Sequence, residues 1–206
     1  MKTQAVVIVL AAGLGSRFAG PIHKLAQPLG ASSVLGRTIS HAIESRLPVI
    51  VVTTEKLVAE AARWVARRDL VVLPEVGSAG AGPLGMGYSI AAGVAARPDA
   101  AGWLVLPGDM PLVAPSTLIA VAAGLTQQPV VYAQYLGRRG HPVGFSAELY
   151  SELIQLSGDE GARRVTARYP SIGLELGDPG VLFDVDTETD LSALRATDDG
   201  ASMAQR

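Results

Sequence analysis

The sequence predicts an α/β protein: a single domain built on a mostly parallel open sheet with helices on both faces. Three observations lead there. Short apolar, β-branched-rich runs at residues 5–10, 49–53, 70–73 and 103–106 look like strands buried on both faces. Helix-patterned stretches lie between them, so strand and helix alternate as in βαβ units. The length of 206 residues, 49% hydrophobic and only 17% charged, suits one domain with a substantial core.

The elements follow in order. The run 5–10 sits behind Lys2 and has the length of a signal-peptide core, but it continues into Gly13, Gly15 and Arg17 rather than a cleavage site, so it reads as a strand. Ser32 or Ser33 can cap a helix reaching about Arg46, because a serine hydroxyl accepts a hydrogen bond from an otherwise unpaired N–H of the first turn. Residues 56–68 read as a second helix, and 87–96 as a third composed of small residues. After Asp109 the pattern becomes mixed: a helix near 115–125, a strand at 130–135, a polar turn at 137–140, a strand at 142–145, and helices near 147–156 and 159–169. A strand at 181–184 is expected to lead into a last helix from Thr187 to about Ala196, with 197–206 a polar, frayed tail. No repeat or linker splits residues 1–196.

Composition excludes several classes of function. Seventeen Lys and Arg against 19 Asp and Glu leave a formal charge of −2, and no basic run could track a phosphate backbone, so no nucleic acid partner is expected. Zero cysteines exclude disulfides, thiolate nucleophiles and cysteine-bearing metal sites, and fit a cytoplasmic location. No apolar run approaches the ~20 residues needed to span a bilayer, so no membrane partner is expected.

Chemistry concentrates in a few segments. Leu10-Ala11-Ala12-Gly13-Leu14-Gly15-Ser16-Arg17 places glycines and a hydroxyl just past a strand, where backbone amides can face an anion. The dinucleotide fingerprint fails because Phe18 stands where its third glycine belongs and no acidic residue ends the second strand; the Walker pattern fails because Pro21 follows Gly20. Leu10 to Arg17 followed by Lys24 instead resembles the signature of the MobA-like/MocA-like nucleotidyltransferases, which activate sugar phosphates, isoprenoid precursors and the molybdenum cofactor. The resemblance implies a nucleotide-diphospho-sugar transferase-like, Rossmann-like fold. It also implies that the glycine loop wraps a triphosphate while Arg17 and Lys24 contact phosphates. Lys24 is one of three lysines, with Lys2 and Lys56, so a merely solvated face has few companions. The seven-residue spacing from Arg17 matches sugar-nucleotide enzymes, whereas molybdenum-cofactor members usually have a shorter spacer.

Asp109 ends a buried strand, and the carboxyl ends of strands line the ligand crevice of open α/β sheets. Asp184 and Asp186 stand at alternate positions, so both point to one side if the chain there is extended. Carboxylates sharing an ion with substrate phosphates suit Mg²⁺. By resemblance, Asp109 and Asp186 hold that metal with Asp184 nearby; the bland readings are a turn before Pro111 and a cap for the last helix. Glu188 replaces the proline common in the family.

The segment Gly82-Pro83-Leu84-Gly85-Met86-Gly87-Tyr88-Ser89 resembles the family's base-recognising loop, and implies nucleotide contacts by Gly85, Gly87 and Ser89 alongside Leu10, Ala11, Ala12, Gly13, Gly15 and Ser16. Residues 137–144 and 157–163 resemble the branch of molybdenum cofactor cytidylyltransferases. By implication Arg139, His141 and Arg163 hold the phosphate or pterin of the acceptor, with Arg138 an alternative to Arg139. His41 reads as structural, and His23 as a neighbour of Lys24. On this resemblance residues 1–110 bind the nucleotide and 111–196 the acceptor. The implied partners are CTP or GTP, a molybdopterin-type phosphorylated acceptor, and a molybdoenzyme or its chaperone as recipient. Other enzyme readings are a guanylyltransferase or a sugar-phosphate nucleotidyltransferase; the reading of another class is a noncatalytic nucleotide- or cofactor-binding protein.

Overall fold

The structure, a computed structural model, describes residues 4–13, 15, 18, 22–74 and 85–203. Strand β1 (Ala5–Ala11) is followed by a two-residue hairpin, β2 (Pro28–Leu29) and β3 (Ser32–Ser33), and by helix α1 (Val34–Glu44). Then come β4 (Val49–Thr54), α2 (Glu55–Ala61), β5 (Leu70–Leu73), α3 (Gly85–Ala95), β6 (Gly102–Pro107) and α4 (Pro115–Gly124). The remainder holds β7 (Val130–Tyr135), β8 (Arg138–Ser146), α5 (Tyr150–Leu153), α6 (Arg163–Arg168), β9 (Ser171–Glu175) and α7 (Glu188–Met203).

Seven strands form one sheet in the order β5-β4-β1-β6-β8-β7-β9. The run from β5 to β6 is parallel, β8 is antiparallel to both neighbours, and β7 and β9 are parallel to each other. The chain leaves β1 toward β4 and β5 on one side, then returns to place β6 on the other. That reversal opens a crevice at the carboxyl ends of β1 and β6.

Strand periodicity divides the core. Val7, Val9, Leu104 and Leu106 face α1, α2, α4 and α7, whereas Val6, Ile8, Trp103 and Val105 face α3, α5 and α6. Burying each such side chain contributes about 1.5–3 kcal/mol. Ser33 caps α1 by accepting from the Gly36 N–H at 2.9 Å, which selects between the two candidate serines. Among the described residues, no helix is long and apolar enough to cross a membrane.

The structure departs from the sequence reading in several places, and the helices expected near 147–156 and 159–169 are shorter, at Tyr150–Leu153 and Arg163–Arg168. The helix expected over 56–68 stops at Ala61, because the chain turns there and packs Trp64 and Val65 onto the core. The expected strand at 181–184 is a 3₁₀ turn, Pro179–Leu182, started by the Asp178 carboxylate accepting from the Gly180 N–H; Val181 is buried beneath the β7–β8 hairpin, so its apolar character does not signal a strand. Strand β9 was not foreseen: five residues with Gly173 at the centre on the sheet edge carry little apolar signal. The last helix continues past Ala196 to Met203.

Candidate active site

The principal cavity, about 760 Å³, opens at the crevice between β1 and β6. Its floor begins at Leu10, Ala12, Gly13 and Gly15, where β1 runs out of ladder partners. His23 ties this loop down: Nδ1 accepts from the Leu25 N–H at 3.2 Å, so Nε2 is left to donate to the Gly13 carbonyl at 3.0 Å. Burial, with help from the Lys24 and Lys56 charges, holds His23 below the ordinary imidazole value, against the pull of that carbonyl. It therefore anchors the loop as a neutral ring, a larger role than flanking Lys24.

Asp109 reaches the cavity two residues past β6. Gly108 donates to the Leu10 carbonyl at 2.8 Å, and a Cβ there would meet that oxygen at 2.9 Å, so only glycine allows the approach. Thr38 on α1 donates to the Gly108 carbonyl at 3.0 Å, and the Asp109 carbonyl accepts from the Val185 N–H at 2.9 Å. That last bond brings the segment before α7 across the crevice. There Asp184 and Asp186 both line the cavity, so the expected alternation holds although the chain is not in a sheet. Asp190 fixes this segment by accepting from the Asp186 N–H at 3.2 Å and the Thr187 N–H at 2.7 Å, a capping arrangement at the start of α7.

Lys24 completes the centre. It opens a 3₁₀ turn, Lys24–Ala26, and its Nζ donates to Asp109 Oδ2 at 2.7 Å and to Asp186 Oδ1 at 2.8 Å. The three side chains are 14–22% exposed, so the pairing is poorly screened. Partial burial pulls the ammonium pKa down, but the charges and hydrogen bonds of the two carboxylates outweigh it and hold Lys24 above the usual lysine value. Beside them, burial and then the Asp186 and Asp109 charges push the Asp184 carboxyl up. The donor set fits Mg²⁺: oxygen ligands from two carboxylates close enough to share one cation. Among the described residues, no group of three or more His, Cys, Asp and Glu is placed to hold an ion, so the two carboxylates would leave the rest of the shell to water or substrate oxygens.

The opposite wall comes from β8 and α3. Arg138, Arg139 and His141 line the cavity from a strand and not from the turn expected at 137–140, because the turn is tighter and centres on Leu136 and Gly137, both at positive φ. The Arg139 guanidinium lies over the Tyr132 ring, 4.4 Å from its centre. His141 Nδ1 is sealed from solvent without a hydrogen-bond partner. Burial dominates and lowers the His141 pKa, so the ring is neutral at pH 7. Gly85 and Ser89 also line the cavity.

Other expected residues sit elsewhere. Ser16 and Arg17 lie outside the described residues, as does the loop up to Leu84. Ala11 is buried at the end of β1, Gly87 is buried against Ser157, and Arg163 is an exposed residue at the start of α6; none lines the cavity. The 157–163 segment contributes Asp159 instead and docks on α3, where Gly87 donates to the Gly158 carbonyl at 2.8 Å. Neither the pairing of Lys24 with both carboxylates nor the loop anchor at His23 was read from the sequence, and no local pattern could have revealed contacts that span 85 and 162 residues.

Comparison with known proteins shows the family. Over 204 residues the chain is 28% identical to the purine catabolism protein PucB of Bacillus subtilis, covering 91% of this chain and 94% of that one. The crystal structure of Rv0371c from Mycobacterium tuberculosis superposes with a TM-score of 0.78 at 30% identity, covering 94% and 99% of the two chains. A further structure of that protein, in complex with manganese, gives 0.73 at 28% identity over the same shares. Residues 7–172 match the MobA-like NTP transferase domain, and the chain belongs to that nucleotidyltransferase family.

Proposed function

We propose that the protein is a Mg²⁺-dependent cytidylyltransferase that transfers CMP from CTP to the phosphate of molybdopterin or molybdenum cofactor and releases pyrophosphate. The observation that carries this reading is the meeting of Lys24, Asp109 and Asp186, from three distant parts of the chain, in a cavity walled by Arg139 and His141. A phosphomonoester has a second pKa of ~6, so the acceptor is largely ionised at pH 7 and attacks the α-phosphate without a protein base. The new P–O bond forms as the bond to the β-phosphate breaks, and pyrophosphate leaves with the electron pair. Alignment and charge neutralisation are then what the protein supplies. Asp109 and Asp186 would hold the metal, which neutralises phosphate charge when bound. Lys24 and Arg17 stabilise the transferring and departing phosphates.

The nucleotide occupies the side built from residues 1–110 and the acceptor the side built from 111–196. A neutral His141 suits the pterin better than the phosphate, which falls to the arginines. Leu10, Ala12, Gly13 and Gly85 leave backbone groups to read the base, with no charged side chain among those four to mark guanine. One feature favours a second reading, a guanylyltransferase: Gly82-Pro83-Leu84 resembles that branch. The test is pyrophosphate release with each ribonucleoside triphosphate against molybdopterin and sugar phosphates. CTP with molybdopterin is expected to give the highest kcat/KM. GTP equal or better moves the protein to the guanylyl group, a sugar phosphate preferred over molybdopterin changes the acceptor, and no release with any pair leaves a binding protein.

A further inference from the structure

The ammonium of Lys24 stands where a cation shared by Asp109 and Asp186 would stand, at 2.7 Å from one carboxylate and 2.8 Å from the other. A divalent ion drawn to the same two carboxylates would lie close beside this ammonium in a poorly screened site, and the two cations would repel each other there. The two carboxylates are also too few to coordinate Mg²⁺ on their own, since no third ligating side chain among the described residues joins them. Both deficits have one remedy. A triphosphate brings the missing oxygen ligands, and it offers Lys24 another anion.

We propose that Lys24 is a tethered cation that occupies the metal position in the free protein and is drawn off it by the nucleotide's phosphates, so that metal and nucleotide enter together rather than metal first. The inference rests on the assignment of Asp109 and Asp186 as metal ligands in the proposed function. The same lysine thus serves two partners in turn. In the free protein it neutralises two carboxylates that would otherwise repel each other in a half-buried site. With nucleotide bound it pairs with phosphate. Because the exchange is a linkage, nucleotide must strengthen metal binding by the factor with which metal strengthens nucleotide binding.

The geometry explains how the movement is confined. Leu25 is buried and the Leu25 N–H is held by His23, so the 3₁₀ turn stays in place and only the lysine side chain swings. Gly13 and Gly15, where the phosphates are expected, line the same cavity as Lys24, and a Cβ on Gly15 would meet Lys24 Cγ at 3.3 Å. The distance between its two stations is therefore within reach of one side chain.

The test is Mn²⁺ binding to the full-length protein without turnover, read from the electron paramagnetic resonance signal of free Mn²⁺. Without nucleotide the wild type is expected to bind Mn²⁺ weakly and Lys24→Met about ten- to hundredfold more tightly, the worth of the charge-assisted bonds removed. A non-hydrolysable CTP analogue should tighten Mn²⁺ binding in the wild type and do so far less in Lys24→Met. Asp109→Asn in the Lys24→Met background should abolish the gain. If Lys24→Met binds Mn²⁺ no better than wild type while Asp109→Asn weakens both, the metal assignment stands and the competition is wrong. If Asp109→Asn alters neither, the metal assignment itself fails. A second measurement needs no variant: the chain has three lysines, so ¹⁵N-lysine labelling gives three side-chain signals, and that of Lys24 should move with Mg²⁺ plus the analogue but not with Mg²⁺ alone. Displacement by Mg²⁺ alone would overturn the proposal.

Discussion

Asp109 and Asp186 are each held by backbone contacts on both sides, so replacing the side chain changes charge with little change in position. Asp109→Asn and Asp186→Asn should each lower kcat by about ten- to hundredfold at limiting Mg²⁺, because an amide keeps an oxygen but loses the negative charge. Raised Mg²⁺ should recover part of the rate; steady-state assays across a Mg²⁺ series check this, and full activity in both variants would move the metal site elsewhere. His141 makes a prediction about pH. Its pKa is lowered in the fold, so between that value and the ordinary 6.5 the folded chain binds fewer protons than the unfolded one. Its contribution to stability is therefore present above pH 6.5 and is lost as pH falls through the folded value. The unfolding temperature of wild type should fall more between pH 7 and pH 5.5 than that of His141→Gln, whose amide does not titrate. Parallel curves would show that the buried ring is not the group responsible.

Elements place the arginines. The β7–β8 turn is clamped from the neighbouring β9, where the Glu175 carboxylate accepts from the Leu136 N–H at 2.5 Å, the Gly137 N–H at 3.1 Å and the Gln134 amide at 3.0 Å. These bonds, first that from Gly137, hold its pKa below the usual glutamate value. Glu175→Ala should raise KM for the acceptor several-fold with the nucleotide KM unchanged, because Arg138 and Arg139 follow directly from the turn. Glu175→Gln, which keeps an accepting oxygen, should bring the acceptor KM much of the way back toward the wild-type value. Equal changes in both KM values would mean that the clamp stabilises the fold without aiming the arginines. On the same wall, at the start of α3, Gly85 sits at φ 62° and a Cβ there would collide with the Gly158 carbonyl. Gly85→Ala should therefore cost about 1–3 kcal/mol of stability and weaken nucleotide binding, checked by urea unfolding and by calorimetric titration.

Across the whole molecule the sheet joins two cores through the same strands, so neither can unfold alone. The chain carries two tryptophans, and they fall on opposite faces: Trp64 packs against the α1 side and Trp103 is buried on the α3 side against Tyr150. Trp64→Phe and Trp103→Phe each leave one reporter, and the two fluorescence transitions in urea should coincide within error. Separated midpoints would show that the two layers melt independently.

The sequence by itself determined the α/β class and the positions of β1, β4, β5 and β6, and it marked the glycine loop, Asp109 and Asp186 as candidates for the chemistry. Each of these is local: a strand buried on both faces reads as an unbroken apolar run, and a carboxylate at a strand's end reads from its place in the chain. Tertiary structure alone decided the rest. That Val181 is buried in a turn, that β9 completes the edge beneath the arginine hairpin, and that Lys24 closes on two carboxylates are all consequences of long-range packing. Such contacts depend on which elements meet in space, and short-range periodicity carries no record of that.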